Sequence, residues 1–161
     1  MSGQLKVTAA SVIVIVLAVI AVALIGSHFS AMNRDWYDGL NKPPFQPPNW
    51  VFGAVWTVLF ILAAISAILI WNTRPQTGLT YLVMALFVVN GILNVVWSAL
   101  FFGNRMIYPA VFEAGVLCVS VIAIIIVAWP ISRAGSLLLI PYALWTAFAT
   151  YLTAVIHQLN P

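Results

Sequence analysis

Five stretches of this sequence, residues 7–25, 50–71, 79–102, 107–129 and 134–157, are long and apolar enough to cross a lipid bilayer as helices. A hydrocarbon core about 30 Å thick takes roughly 20 apolar residues at the helical rise. Inside that core every peptide group must be satisfied by the protein itself, which leaves helices or closed barrels. The spacing predicts an all-α integral membrane protein, a bundle of five transmembrane helices forming one domain over residues 1–161. Connectors 72–78, 103–106 and 130–133 are short, so consecutive helices are expected to lie antiparallel and side by side. Unbroken spans are expected too, with Pro109 and Pro141 near helix starts, where proline is tolerated.

Composition agrees with this reading. Only 6% of the residues are charged and 64% are hydrophobic, whereas a soluble domain carries about a quarter charged residues. Six basic and three acidic side chains are too few to build a nucleic-acid surface. A single cysteine, Cys118, excludes a disulfide framework or a cysteine metal cluster. The first stretch follows Lys6 in the manner of a signal peptide, but its apolar run is longer than an h-region. Phe29-Ser30-Ala31 is also a poor cleavage site, so the segment is read as a retained helix. Lys6, Arg74 and Arg133 fall on one side of the bundle and Arg34, Lys42 and Arg105 on the other, which leaves the orientation open.

The connector 27–48 differs from the others. It holds four of the nine charged residues (Arg34, Asp35, Asp38, Lys42), the aromatics Trp36, Tyr37 and Phe45, and four prolines (Pro43, Pro44, Pro47, Pro48). Long connectors in compact proteins tend to be functional or disordered. Prolines hold such a segment extended, and aromatics give it something to bury. An ordered lid across one mouth of the bundle is expected; an interfacial aromatic belt is the alternative.

Polar groups placed within spans face the bundle interior or a cavity. On the third stretch Asn90, Asn94, Trp97 and Phe101 share one face, extended by Ser98. Trp50, Gly53, Thr57, Phe60, Ala64 and Trp71 form a comparable stripe on the second, and Tyr142, Trp145, Ala149 and Thr153 on the fifth. Together these stripes suit a cavity with flat indole walls and Asn94 as donor and acceptor; close helix packing is the competing reading. Trp71 and Trp129 suit a membrane belt, and Trp56 is assigned to packing. Glu113, the one acid inside a span, is read as a neutral, hydrogen-bonded structural group. His28 and His157 are expected at opposite mouths and not as joint metal ligands. No nucleophile–base pair, phosphate loop or metal-ligand cluster is visible, and no cofactor is implied. Recognition of a flat apolar ligand, or redox and photochemistry involving tryptophan, is what remains.

Trp36-Tyr37-Asp38-Gly39-Leu40-Asn41-Lys42-Pro43, then Pro47-Pro48-Asn49-Trp50-Val51-Phe52-Gly53 with Trp56-Thr57, resembles the translocator protein family. That family is also called tryptophan-rich sensory protein or peripheral-type benzodiazepine receptor. Further matches are Leu93-Asn94, Trp97, Phe101-Phe102-Gly103, Glu113, Pro141-Tyr142, Leu144-Trp145, Phe148-Ala149 and Leu152, in order along nearly the whole chain. The resemblance implies a five-helix bundle, often a homodimer, with a ligand pocket beneath the first loop. It implies binding of tetrapyrroles such as protoporphyrin IX and of isoquinoline or benzodiazepine-type compounds, with sterol binding in animal members. Some bacterial members are reported to break down protoporphyrin oxidatively in light, and transport of tetrapyrroles or lipids is a further alternative.

On this resemblance Trp36, Tyr37, Trp50, Asn94, Trp97, Trp145 and Ala149 match pocket positions. With Ser98 and Phe148 they make up the expected ligand-binding set, Trp36 and Trp145 being the redox candidates. Departures are Thr153 where an asparagine is common, Phe60 where a tyrosine is common, and the lack of a basic residue after Tyr151, which removes the sterol motif. The C-terminus Leu159-Asn160-Pro161 and the lack of a targeting extension suggest a prokaryotic cell membrane.

Overall fold

The computed structural model describes the backbone of residues 2–73 and 76–161, with side chains from residue 9 onward. Arg74 and the Lys6 side chain, part of the orientation count, lie outside the described residues. The expected five apolar spans are present. The first is α1 (Ser2–Met32), followed by a short helix α2 (Arg34–Asp38) in the long connector. The second is α3 (Asn49–Asn72). The third is α4 (Gly78–Ser98), continued by a π-helical turn, Ala99–Gly103. The fourth is α5 (Ile107–Ala128), and the fifth is built from α6 (Arg133–Leu137) and α7 (Ile140–Leu159). No strand occurs among the described residues.

Two expectations from the sequence are corrected here. The helix of the first span runs seven residues past position 25, so 27–32 belong to it and not to a loop. Polar residues at headgroup depth need not end a helix, because a serine can bond back to its own turn. The Ser30 hydroxyl donates to the Gly26 carbonyl at 2.9 Å. The fifth span, in turn, is broken at Leu138–Leu139. Ser132 caps α6, its hydroxyl accepting from the Gly135 N–H at 3.1 Å. Pro141, in the first turn of α7, has no N–H to continue the ladder from α6.

Around the bundle the order is α1, α3, the α6–α7 span, α5, α4, and back to α1. The second and third spans are thus not principal neighbours, against the expectation for consecutive helices. α3 packs chiefly on α1 and α6 and only lightly on α4. The tightest pair is α5 with α7, where Ala110 and Ala114 are buried and let the helices approach closely. Away from the connector the bundle is filled by Leu59, Ile70, Val83, Val121, Ile124 and Leu139.

The connector does not simply cross the mouth. Asn41 bonds to Asn160, Phe45 stacks on Tyr151 at 5.7 Å, Phe52 meets Trp145 at 5.6 Å and Trp56 meets Tyr142 at 5.9 Å. These successive contacts show the chain descending antiparallel along α7 and turning into α3 part-way down it. α2 is the part of the connector that lies over the cavity. α3 is therefore anchored at the far end of the bundle. There Ser66 donates to the Gly135 carbonyl at 2.7 Å, and a Cβ on Gly135 would lie 2.8 Å from Ile70 Cγ1.

Gly135→Val is expected to wedge α6 away from α3 and lower stability by about 1–3 kcal/mol. Thermal unfolding in detergent checks it: a midpoint equal to that of the unmodified chain would show that this contact is loose.

Candidate ligand-binding site

A cavity of about 480 Å³ lies beneath α2, between α1, α3, α4 and α7. It reaches from Arg34 down to Val22 and Phe60, its α1 wall running from Ala31 to Val22, about 14 Å at 1.5 Å per residue. Spacing creates it. On α3 the residues Asn49, Phe52, Gly53, Trp56, Thr57 and Phe60 recur every three or four positions and face inward. On α7 the cavity face is Ala149, Leu152, Thr153 and Ile156, and on α4 it is Asn94, Trp97 and Ser98 with Phe101 and Phe102. α1 adds Val22, Ala23, Gly26, Ser27, Ser30 and Ala31, whose small side chains leave the volume open.

A polar cluster closes the inner end. The Tyr142 hydroxyl donates to Asn90 Oδ1 at 2.9 Å and accepts from Asn94 Nδ2 at 3.3 Å. Asn90 Nδ2 donates to Ser120 Oγ at 2.8 Å, and Ser120 in turn donates to the Leu117 carbonyl. α4, α5 and α7 are joined by side chains that would each be costly in lipid without partners. Trp56 packs edge-on to the Tyr142 ring and completes this floor.

At the outer end the π-helical turn shapes the roof. The Asn104 N–H reaches back to the Ala99 carbonyl at 2.8 Å, and the widened turn brings both Phe101 and Phe102 to Tyr37. π-turns within α-helices recur at functional sites. Trp97 stacks on Phe101 with centroids 5.4 Å apart and rings 10° from parallel. The Trp97 Nε1 is buried with no hydrogen-bond partner among the described residues. Gln46 Nε2 donates to the Tyr37 hydroxyl at 3.1 Å and Lys42 Nζ lies 4.7 Å over the Tyr37 ring. Burial raises the Tyr37 phenol above its ordinary value, Asp38 adding to the rise and the Gln46 bond opposing it. Tyr37 thus stays a neutral phenol.

Two polar clasps hold the connector. Asn33 Nδ2 donates to the carbonyls of Phe102 and Gly103, and its Oδ1 accepts from Arg105 Nε and Nη2. Arg105 adopts φ 60°, a left-handed conformation uncommon for a side chain of its size. In the second clasp Asn160 Oδ1 accepts from the Asn41 N–H at 2.9 Å, and Asn160 Nδ2 donates to the Asn41 and Ile156 carbonyls.

Of the nine residues expected at the site, Tyr37, Asn94, Trp97, Ser98 and Ala149 line the cavity. Trp36 stands one ring behind it, edge-on to Phe101 at 5.8 Å. Trp145 is likewise one ring behind Phe52 and packs on Phe148, which does not border the cavity either. Both redox candidates are therefore outside the lining. Trp145 instead borders a shallow apolar groove of about 510 Å³ on the outer surface, with Val58 of α3 and Leu144 of α7. Trp50 is 74% exposed and away from the cavity, since it sits at the edge of the α3 stripe in the first turn.

The sequence reading missed Trp56, given to packing, and the whole α1 wall. Gly26, Ser27, Ser30 and Ala31 were a legible small-residue run, masked by placing 27–32 in a loop. His28 and His157 both lie at the connector end, not at opposite mouths, because α1 and α7 run in the same direction. Glu113 is buried, but neither carboxyl oxygen has the expected hydrogen-bond partner among the described residues.

The sequence matches the TspO/MBR family over residues 12–159. It is 38% identical over 146 residues to Tryptophan-rich protein TspO of Archaeoglobus fulgidus, covering 90% of this chain and 94% of that one. Tryptophan-rich protein TspO of Chlorobaculum tepidum is 34% identical over 143 residues, 88% of this chain and 90% of its own. Translocator protein of Homo sapiens is 30% identical over 138 residues, 84% of this chain and 82% of its own.

Removing the hydroxyl that joins the inner cluster, Tyr142→Phe, leaves Asn90 Oδ1 and Asn94 Nδ2 without their partner. A loss of about 1–2 kcal/mol is expected at this site. Thermal melting of the purified variant measures it, and an undiminished midpoint would show that the cluster does not hold α4 to α7.

Proposed function

The chain belongs to the TspO/MBR family, and from that premise we propose that it is a membrane receptor for porphyrin-type tetrapyrroles. The ligand lies in the cavity beneath α2, where isoquinoline or benzodiazepine-like compounds of similar flatness also fit. The observation that carries this reading is one cavity of about 480 Å³ walled by Phe52, Trp56, Phe60, Trp97 and Phe101, with Asn94 on its wall. Ligand pockets fall in the range of about 300–1,000 Å³, mostly apolar with a few placed polar groups. Aromatic faces stack on a planar macrocycle, and Asn94 and Thr57 meet polar edges. The outer groove between α3 and α7 offers a bilayer-facing apolar surface and suits lipid chains better. Similarity to bacterial and archaeal relatives supports a prokaryotic cell membrane as its place.

Titration of protoporphyrin IX against tryptophan fluorescence tests the site. A Cβ on Gly53 has no atom within 4 Å, and Gly53 lines the cavity, so Gly53→Leu directs a side chain into that open volume. Affinity is expected to fall tenfold or more while thermal stability is kept. Trp97→Ala removes a stacking wall and should weaken binding by about tenfold, that is about 1.4 kcal/mol. Wild-type affinity in both variants would contradict the assignment.

A further inference from the structure

Three cations stand at the connector end of the bundle, and two of them are engaged. Lys42 Nζ donates to the carbonyls of Asp38 and Leu40 and covers the Tyr37 ring. Arg105 is held by Asn33 Oδ1 through two nitrogens. Arg34 is different: it borders the mouth of the cavity, is exposed, and makes no hydrogen bond or ion pair among the described residues. It is also the one charged residue in the lining, and no acid borders the cavity. Asp35 and Asp38, on the same short helix, lie outside the lining.

The cavity is therefore polarised along its length. Below are aromatic and small side chains with neutral amides and hydroxyls; at the mouth is a single guanidinium with all its donors uncommitted. A guanidinium presents a planar fork that matches a carboxylate in two parallel hydrogen bonds. At the edge of an apolar volume such a pair is less screened than one in open water.

We propose that Arg34 makes this cavity selective for amphipathic ligands that carry a carboxylate at one edge, its guanidinium binding that carboxylate at the mouth while the apolar body lies below. The inference rests on the porphyrin-site reading and deepens it: among the planar ligands which that reading admits, Arg34 selects those with a free carboxylate at one edge. It also fixes the direction of binding, with the acidic edge toward α2 at the mouth and the opposite edge toward Asn94. Lipid phosphate is the other anion within reach of an arginine at this depth, so the test uses a medium without phosphate.

The experiment compares protoporphyrin IX with its dimethyl ester in an uncharged maltoside detergent, by quenching of tryptophan fluorescence. The two probes share one macrocycle and differ in the charge at its acidic edge. The wild-type chain is expected to bind the free acid about three- to tenfold more tightly than the diester. Arg34→Gln should bring that ratio close to one by weakening the acid alone, with diester affinity unchanged as evidence of an intact fold. Arg34→Lys should keep part of the preference, and raising the salt should shrink the wild-type ratio. Diester and acid binding equally to the wild-type chain, or an unchanged ratio in Arg34→Gln, would overturn the role of Arg34 and leave the porphyrin site standing. Failure of both probes to bind the wild-type chain would overturn the site reading and this inference with it.

Discussion

The Tyr142 hydroxyl is the joint on which the architecture turns. By donating to Asn90 and accepting from Asn94 it ties α7 to α4, and Asn90 passes the link to Ser120 of α5. Apolar side chains gain little from leaving lipid for a protein interior, so polar bonds and close packing hold membrane helices together. The cluster sits at mid-bundle, with a packed core on one side and an open volume on the other. α3 follows a different logic. It is fastened far from the connector, by Ser66 to Gly135 and by Ile70 against the Gly135 backbone. Toward the connector it stands off from α4, and the space between them is the cavity.

That arrangement makes the aromatic content intelligible. Three helices joined at mid-depth and a fourth joined at the far end leave a gap, which the small residues of α1 do not fill. Rings form much of its wall, and several of them pack on further rings. Trp97 is braced by Phe101, Phe101 by Trp36, and Phe52 by Trp145. Trp36 and Trp145 thus touch the cavity wall only through the rings in front of them. At the span ends Trp71 meets Tyr81 edge-on and Trp129 carries Arg133 over its ring.

Hydropathy alone located all five spans, because length and apolarity are what a bilayer demands. The α4 face was legible from its 3–4 spacing, and Asn94, Trp97 and Ser98 were found by it. The α7 stripe was also read correctly as a face, yet only its outer half borders the cavity. Depth was the hidden quantity: the connector descends along α7, so Trp145 lies level with the start of α3, behind Phe52. No periodicity within one helix reports its vertical offset from the next. The π-turn was illegible for a related reason, since it depends on one extra residue per turn and not on composition. The break at Leu138–Leu139 has a signal in Pro141, a residue suited equally to a position near a helix start and to a second start within one span.

The central claim is that the cavity between α1, α3, α4 and α7, and not the outer groove, receives a planar ligand. A structure of the protein with protoporphyrin IX bound tests it most directly. Density for the macrocycle stacked beside Trp97, between α3 and α4 and under Tyr37, is the predicted result. Density in the groove beside Val58 and Leu144, with the inner volume unchanged, would contradict it.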